Sequence, residues 1–258
     1  MATSKFFTVT VKPTIAASVQ HAGAFSAGDL LFDWTAIDMP KGSARLINAT
    51  VMVRPKGDAG PTTNDNALGL VFSSTNTVSL GTAHGTVDNR PSNDYLGMIF
   101  YHASQYTPTT FNSTAVGNLG FGGDKEVTGG PIVLTPDPTI GTNAGYDRIY
   151  IAGWAGDGNM NFSSINAIAE AGSAEAASTQ VITMDGTSMD VREHFVAGDV
   201  VHIGTSVGTP AADSLIGTIA SADSATQLTL NSTSATDLVD GDTLYNIHPI
   251  RIILQFER

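Results

Sequence analysis

The sequence predicts an all-β protein: an antiparallel sandwich or jelly-roll-like main domain with a small β-barrel inserted before its last strand. Three observations carry this. Both ends of the chain alternate with period two, Phe7, Val9 and Val11 near the start and Ile250, Ile252, Leu254 and Phe256 at the finish. Five short apolar runs, each bounded by turn residues, follow one another between Ser178 and Ile247. A helical period is offered by one segment alone, Asn161–Ala177, in a chain of 258 residues. The expected division is residues 1–177 plus 248–258 as the main domain and 178–247 as the insert.

In chain order, Lys5–Lys12 is a strand that Pro13 ends, because proline has no N–H for a ladder. Thr14–Gln20 reads as a second extended piece. The turn Ala27-Gly28-Asp29 leads into Leu30–Thr35, and Ser43–Arg54 is the longest strand candidate, stopped by Pro55. Ala67–Ser73 and Thr77–Leu80 are short strands, and Leu96–His102 is a buried strand with aromatic weight. Ala103–Gly145 is rich in Gly, Thr and Pro with one short strand at Ile132–Leu134; a stretch of that length is expected to form an interaction surface or lid. Asp147–Trp154 is a strand, and its pattern makes it the best-matched partner for Ile250–Glu257. Asn161–Ala177, with Phe162, Ile165, Ile168 and Ala169 in phase, is a short helix or a linker. The insert's strands are Thr179–Met184, Asp199–Gly204, Leu215–Ala220, Gln227–Asn231 and Thr243–Ile247, and closing them into a barrel would remove their edges.

One pattern recurs: Phe25-Ser-Ala-Gly-Asp29, Phe195-Val-Ala-Gly-Asp199 and Leu238-Val-Asp-Gly-Asp242. In each, an apolar anchor precedes a Gly-Asp turn that opens a strand, Gly supplying positive φ and Asp a carboxylate for the turn's backbone.

Composition limits the function classes. The net charge of −12 and the lack of a basic run argue against nucleic-acid binding. With no cysteine, neither disulfides nor thiolate metal sites are expected. The first residues carry one Lys and no long apolar run, so no secretory signal is expected, and no segment approaches the roughly 18 apolar residues of a membrane span. Charged residues make up 14%, well below the roughly 25% usual for soluble proteins, so the exterior is covered by small polar residues or by neighbours.

No reaction is named by the residues. The six histidines form no HExxH-type pair, and no Gly-x-Ser-x-Gly is present. Gly156-Asp157-Gly158-Asn159 lacks the acidic spacing and closing Glu of an EF-hand and reads as a turn. Gly120-Phe121-Gly122-Gly123 is not followed by Lys and a helix, so it is not a phosphate cradle. No catalytic, cofactor-binding or metal-ligating residue is therefore assigned. Interface candidates are Phe6 and Phe7 on the N-terminal arm, as pocket fillers or as part of a strand added to a partner's sheet, and Tyr106 and Phe111 in the loop-rich stretch. Trp34, Tyr101, Tyr146 and Trp154 are the other aromatics able to line a sugar-binding face, or else belong to the core.

The succession Phe195-Val-Ala-Gly-Asp-Val-Val-His-Ile-Gly204, Ile216-Gly-Thr-Ile219, Thr226-Gln-Leu-Thr-Leu230 and Val239-Asp-Gly-Asp-Thr-Leu244 is similar to small barrel modules of phage head and tail proteins. With its acidic, cysteine-free, all-β character, the chain resembles virion structural proteins of tailed bacteriophages, of the capsid decoration or cement type. The resemblance implies a non-enzymatic protein on the outside of the head, bridging subunits of the major capsid protein or other virion proteins. It also implies a homo-oligomer, commonly a trimer, located in the virion after assembly in the host cytoplasm, with no cofactor and neither nucleic acid nor membrane as partner. The competing expectations are a fibre or receptor-binding module holding a glycan through the Ala103–Gly145 loops, and a β-rich hydrolase with a dispersed triad.

Overall fold

The computed structural model describes residues 5–56, 63–88, 93–107, 114–120, 133–134, 146–163, 167–168, 180–184, 190–205 and 211–258. The chain is all-β and sandwich-like, built from antiparallel sheets. One sheet runs in the order β1 (Phe6–Val11), β16 (Ile250–Glu257), β3 (Ala44–Val53), β7 (Ala115–Gly120) and β6 (Tyr106–Thr107), with β8 (Val133–Leu134) also on β3. A second runs β2 (Leu30–Pro40), β9 (Tyr146–Ala155), β4 (Leu68–Ser73) and β5 (Tyr95–Tyr101). The main core lies between them: Val51, Ile252 and Leu254 from the first meet Ile37, Leu70 and Ile151 from the second. The period-two pattern produces this directly, since alternate residues of a strand share a face.

The last strand is central, but its neighbours are β1 and β3, with Phe7 opposite Phe256 and Val51 opposite Ile252. The expected partner, β9, pairs instead with β2 and β4. Both choices bury the same alternation; only the full set of strands decides which face meets which sheet.

The insert's sheet runs β10 (Ala167–Ile168), β15 (Thr243–Asn246), β12 (Val200–Ile203), β13 (Leu215–Ala222), β14 (Gln227–Leu230) and β11 (Val181–Thr183). Register shifts at Val201/His202 and Ile219/Ser221 interrupt its ladders. Its own core, including Ile182, Phe195, Val201, Ile216, Leu228 and Leu244, falls within residues 182 to 244. The sheet also takes β10 from before residue 178, while Tyr245 and Ile247 belong to the main core.

Other expectations are revised. Ala17–His21, in the stretch read as extended, is a helix, α1. A second short helix, α2, spans Val191–His194, begun by Asp190 accepting the Arg192 N–H at 3.0 Å. Thr77–Leu80 is irregular and not a strand. Of the helix-or-linker segment Asn161–Ala177, Ala167–Ile168 is a strand, and most of the remainder lies outside the described residues.

The recurring pattern is one turn built three times. Gly28, Gly198 and Gly241 have φ of 88°, 87° and 89°. The N–H groups of Asp29, Asp199 and Asp242 donate to the carbonyls of Ser26, Val196 and Val239, each at 3.0 Å. Their carboxylates accept the N–H of the same three residues at 2.7, 2.9 and 2.9 Å. Phe25, Phe195 and Leu238 are buried, fixing each turn to a core.

The third sheet is joined to the rest of the fold by polar contacts. Asp213 accepts from Ser18, Arg54 pairs with Asp199 at 3.1 Å, and the buried Gln20 side chain donates to the carbonyls of Ile15 and Asn246 at 2.8 and 2.9 Å. The Tyr245 hydroxyl donates to the Ser163 carbonyl at 2.7 Å, and burial pushes its pKa above the ordinary tyrosine value.

Candidate interaction surface

The second sheet buries one face against the main core and turns the other outward. On the outward face, Leu30, Val71, Leu80 and Ala152 form a small separate cluster against which Trp34 and Trp154 pack. Gly69 makes this possible. It sits opposite Trp154 in the ladder, and a Cβ there would stand 2.1 Å from the indole, so only glycine lets the ring lie flat across β4.

Residues 74–88 fold over part of this face. Trp34 donates from Nε1 to the Val78 carbonyl at 2.9 Å, Asn93 closes a two-way pair with Val78 at 2.7 and 3.1 Å, and the Leu30 N–H reaches the Gly85 carbonyl at 2.8 Å. Between this loop and β5 a groove of about 650 Å³ stays open, floored by Val71 and Trp154 and walled by Val87, Tyr95 and Met98. Met98 is 63% and Tyr95 43% exposed, the largest apolar exposures among the described residues of this sheet. Pairs of large side chains at the mouth of a concave apolar surface are what a partner's anchor residues pack against.

The anticipated interface residues fare differently. Phe6 is outward at 54% exposure, beneath the Lys5 ammonium, whereas Phe7 turns inward and stacks on Phe256 at 5.0 Å between centroids. The arm therefore adds a strand to its own sheet. Tyr106 is a core residue at 5% exposure, 6.2 Å from the Tyr101 ring, and has no hydrogen-bond partner for its hydroxyl among the described residues. Burial pushes its pKa up, so it stays a neutral phenol. Phe111 lies outside the described residues. Of the other aromatics, Tyr101 is buried with its hydroxyl on the Ala49 carbonyl at 2.8 Å, while Trp34 and Trp154 share the outward face.

The histidines are dispersed among structural roles. His84 lies 3.7 Å from the Asp29 carboxylate, but its Nε2 faces the Gly23 carbonyl at 3.4 Å and not a hydroxyl. His202 donates from Nδ1 to the Asp213 carbonyl at 2.7 Å, and His21 Nδ1 lies 3.0 Å from the Tyr245 hydroxyl. Asp157, in the calcium-like stretch, accepts the Ala67 N–H at 2.9 Å, and no group of three metal-ligating side chains is present among the described residues.

Of the groove residues, Tyr95 and Met98 are not singled out as an interface by sequence, whereas Trp154 is among the aromatics considered for a sugar-binding face. The signal that could have found Trp154 is glycine inside a strand: Gly69 is a place where a ring crosses the backbone. No family model, no curated protein and no solved structure matches this chain.

Proposed function

We propose that this chain is a non-enzymatic virion structural protein of a tailed bacteriophage, a decoration or cement protein that docks on the outside of the head and bridges neighbouring shell subunits as a homo-oligomer. The observation that carries this reading is the groove beside β5, where Met98 and Tyr95 stand exposed above an apolar floor, with Asp88 on its lining. Burying such a surface contributes about 25 cal/mol per Å², enough for modest affinity per contact. Bridging needs no more, because contacts made by linked copies reinforce one another. The resemblance of the insert to phage barrel modules supplies the virion setting.

The test is reattachment. Parent protein, Met98→Glu and Tyr95→Glu are each added to particles stripped of the protein, and co-sedimentation is measured. Both positions are exposed, so both variants fold as the parent does by circular dichroism. The reading expects both to lose particle binding; variants that sediment like the parent overturn it.

A further inference from the structure

Cations are scarce on this chain, 12 Lys and Arg against 24 Asp and Glu, yet three of the twelve line one cleft between the first sheet and the insert. The cleft measures about 410 Å³. The sheet explains how they gather. Arg251 of β16 lies opposite Met52 of β3, which lies opposite Val116 of β7. Val11 pairs with Ile252, so the next step of the same register sets Lys12 beside Arg251. Lys12, Arg251, Met52 and Val116 thus form one row across four strands, on the face away from the core. Like charges side by side on neighbouring strands repel, so the pair is not explained by sheet stability.

The opposite wall is the second of the three repeated turns, with Val196 43% exposed and Asp199 behind it. Asp199 feels the Lys12 charge but makes its ion pair with Arg54, not with Lys12 or Arg251. Its Oδ2 already accepts from Arg54 at 3.1 Å, from Asn246 at 2.8 Å and from the Val196 N–H at 2.9 Å. Lys12 and Arg251 have no ion-pair partner among the described residues. His248 lines the same cleft, half-buried, with Nε2 3.4 Å from the Thr14 hydroxyl. Burial and then the Lys12 charge hold its pKa below the ordinary value, so it adds no positive charge at neutral pH. Lys12, Arg54 and Arg251 against Asp199 leave the cleft with a net charge of +2, on a chain of net charge −12.

We propose that this cleft binds an amphipathic carboxylate, its oxygens between Lys12 and Arg251 and its apolar body against Met52, Val116 and Val196. The charge selects an anion, and the apolar floor selects one with a hydrophobic tail over a small hydrated ion such as phosphate. Both a free aliphatic acid and the carboxylate end of an apolar peptide have this chemistry. The site is separate from the groove beside β5 and does not depend on the function proposed from it.

His248 supplies the readout, because an anion seated beside it stabilises its protonated form and moves its imidazole resonances. The probes are octanoate, N-acetyl-leucyl-leucine, acetate and inorganic phosphate, titrated into the full chain at constant ionic strength. Saturable His248 shifts are expected with octanoate or the dipeptide, and binding weaker by about tenfold or more with acetate and phosphate. Tighter binding of octanoate identifies a free acid, and tighter binding of the dipeptide a chain end. The shift is expected to vanish in a Lys12→Gln/Arg251→Gln double variant and in Val196→Asp, all exposed positions whose thermal unfolding should match the parent. No saturable shift with either amphipathic probe, equal responses to all four anions, or a response that survives in the double variant each overturns the proposal.

Discussion

Asp213 holds the start of a helix that lies 195 residues before it: its carboxylate accepts the Ser18 N–H at 2.8 Å and the Ser18 hydroxyl at 2.5 Å. Asp213 takes a left-handed backbone conformation, φ 64°, to do so. Helix α1 has five residues and no side-chain cap of its own. A helix that short is not stable by itself, so the insert supplies what the local sequence lacks.

Replacing Asp213 by Ala should therefore destabilise the whole chain by about 0.5–2 kcal/mol, the usual cost of a lost N-cap acceptor. Asp213→Asn should cost less, because Asn keeps an acceptor oxygen and tolerates positive φ. Urea unfolding of both variants and of Ser18→Ala checks this, and the Asp213→Ala/Ser18→Ala double variant should cost less than the two single losses together.

The three repeated turns make a second prediction. Gly198→Ala, at φ 87°, should cost about 1–3 kcal/mol, because an L side chain is strained in that region. Gly158→Ala is the control: its Cβ would meet nothing within 4 Å, so its effect should be small. Thermal unfolding of the two variants compares them directly.

The groove makes a third. Gly69→Ala would place a Cβ 2.1 Å from the Trp154 indole, and overpacking of this kind costs about 1–3 kcal/mol. The ring must move off β4 towards solvent, so tryptophan emission should shift to the red along with the loss of stability. Emission unchanged from the parent would mean that Trp154 does not lie across Gly69.

A fourth concerns pH. His248 is held below its ordinary pKa of 6.5 by burial and then by Lys12. The unfolded chain therefore binds a proton more readily than the folded one, and stability rises with pH through this window. The contribution is fully present above about pH 6.5 and is lost as pH falls towards the lower folded-state value. His248→Gln should flatten the stability profile between pH 7 and 5, measured by urea unfolding at several pH values.

Strand positions were the legible part of this fold, because alternation is a local signal: β1, β3, β4, β5, β9 and β16 lie where Phe7, Val51, Leu70, Ile99, Ile151 and Leu254 place them. Pairing was less legible. The β9 and β16 patterns are equally compatible with lying side by side, yet β16 sits between β1 and β3. Strand β7 was obscured by Gly117, whose missing side chain leaves room for the Tyr101 and Tyr106 rings. The same burial removed Tyr106 from the interface candidates: aromatic residues in loop-rich sequence look available until the sheet above them is known. Helix α1 depended on a carboxylate far along the chain. The groove was hidden for the opposite reason, since Met98 reads as an ordinary strand residue, and Tyr95 falls just outside the expected strand, until loop 74–88 is seen to leave part of that face open.

The central claim is that the chain works by occupying a repeated position on a shell. Quantitative mass spectrometry of purified particles tests it most directly, with the shell subunit as internal standard. The account predicts a copy number comparable with that of the shell subunit itself. A handful of copies per particle, as at a tail or fibre tip, or none at all, would contradict it.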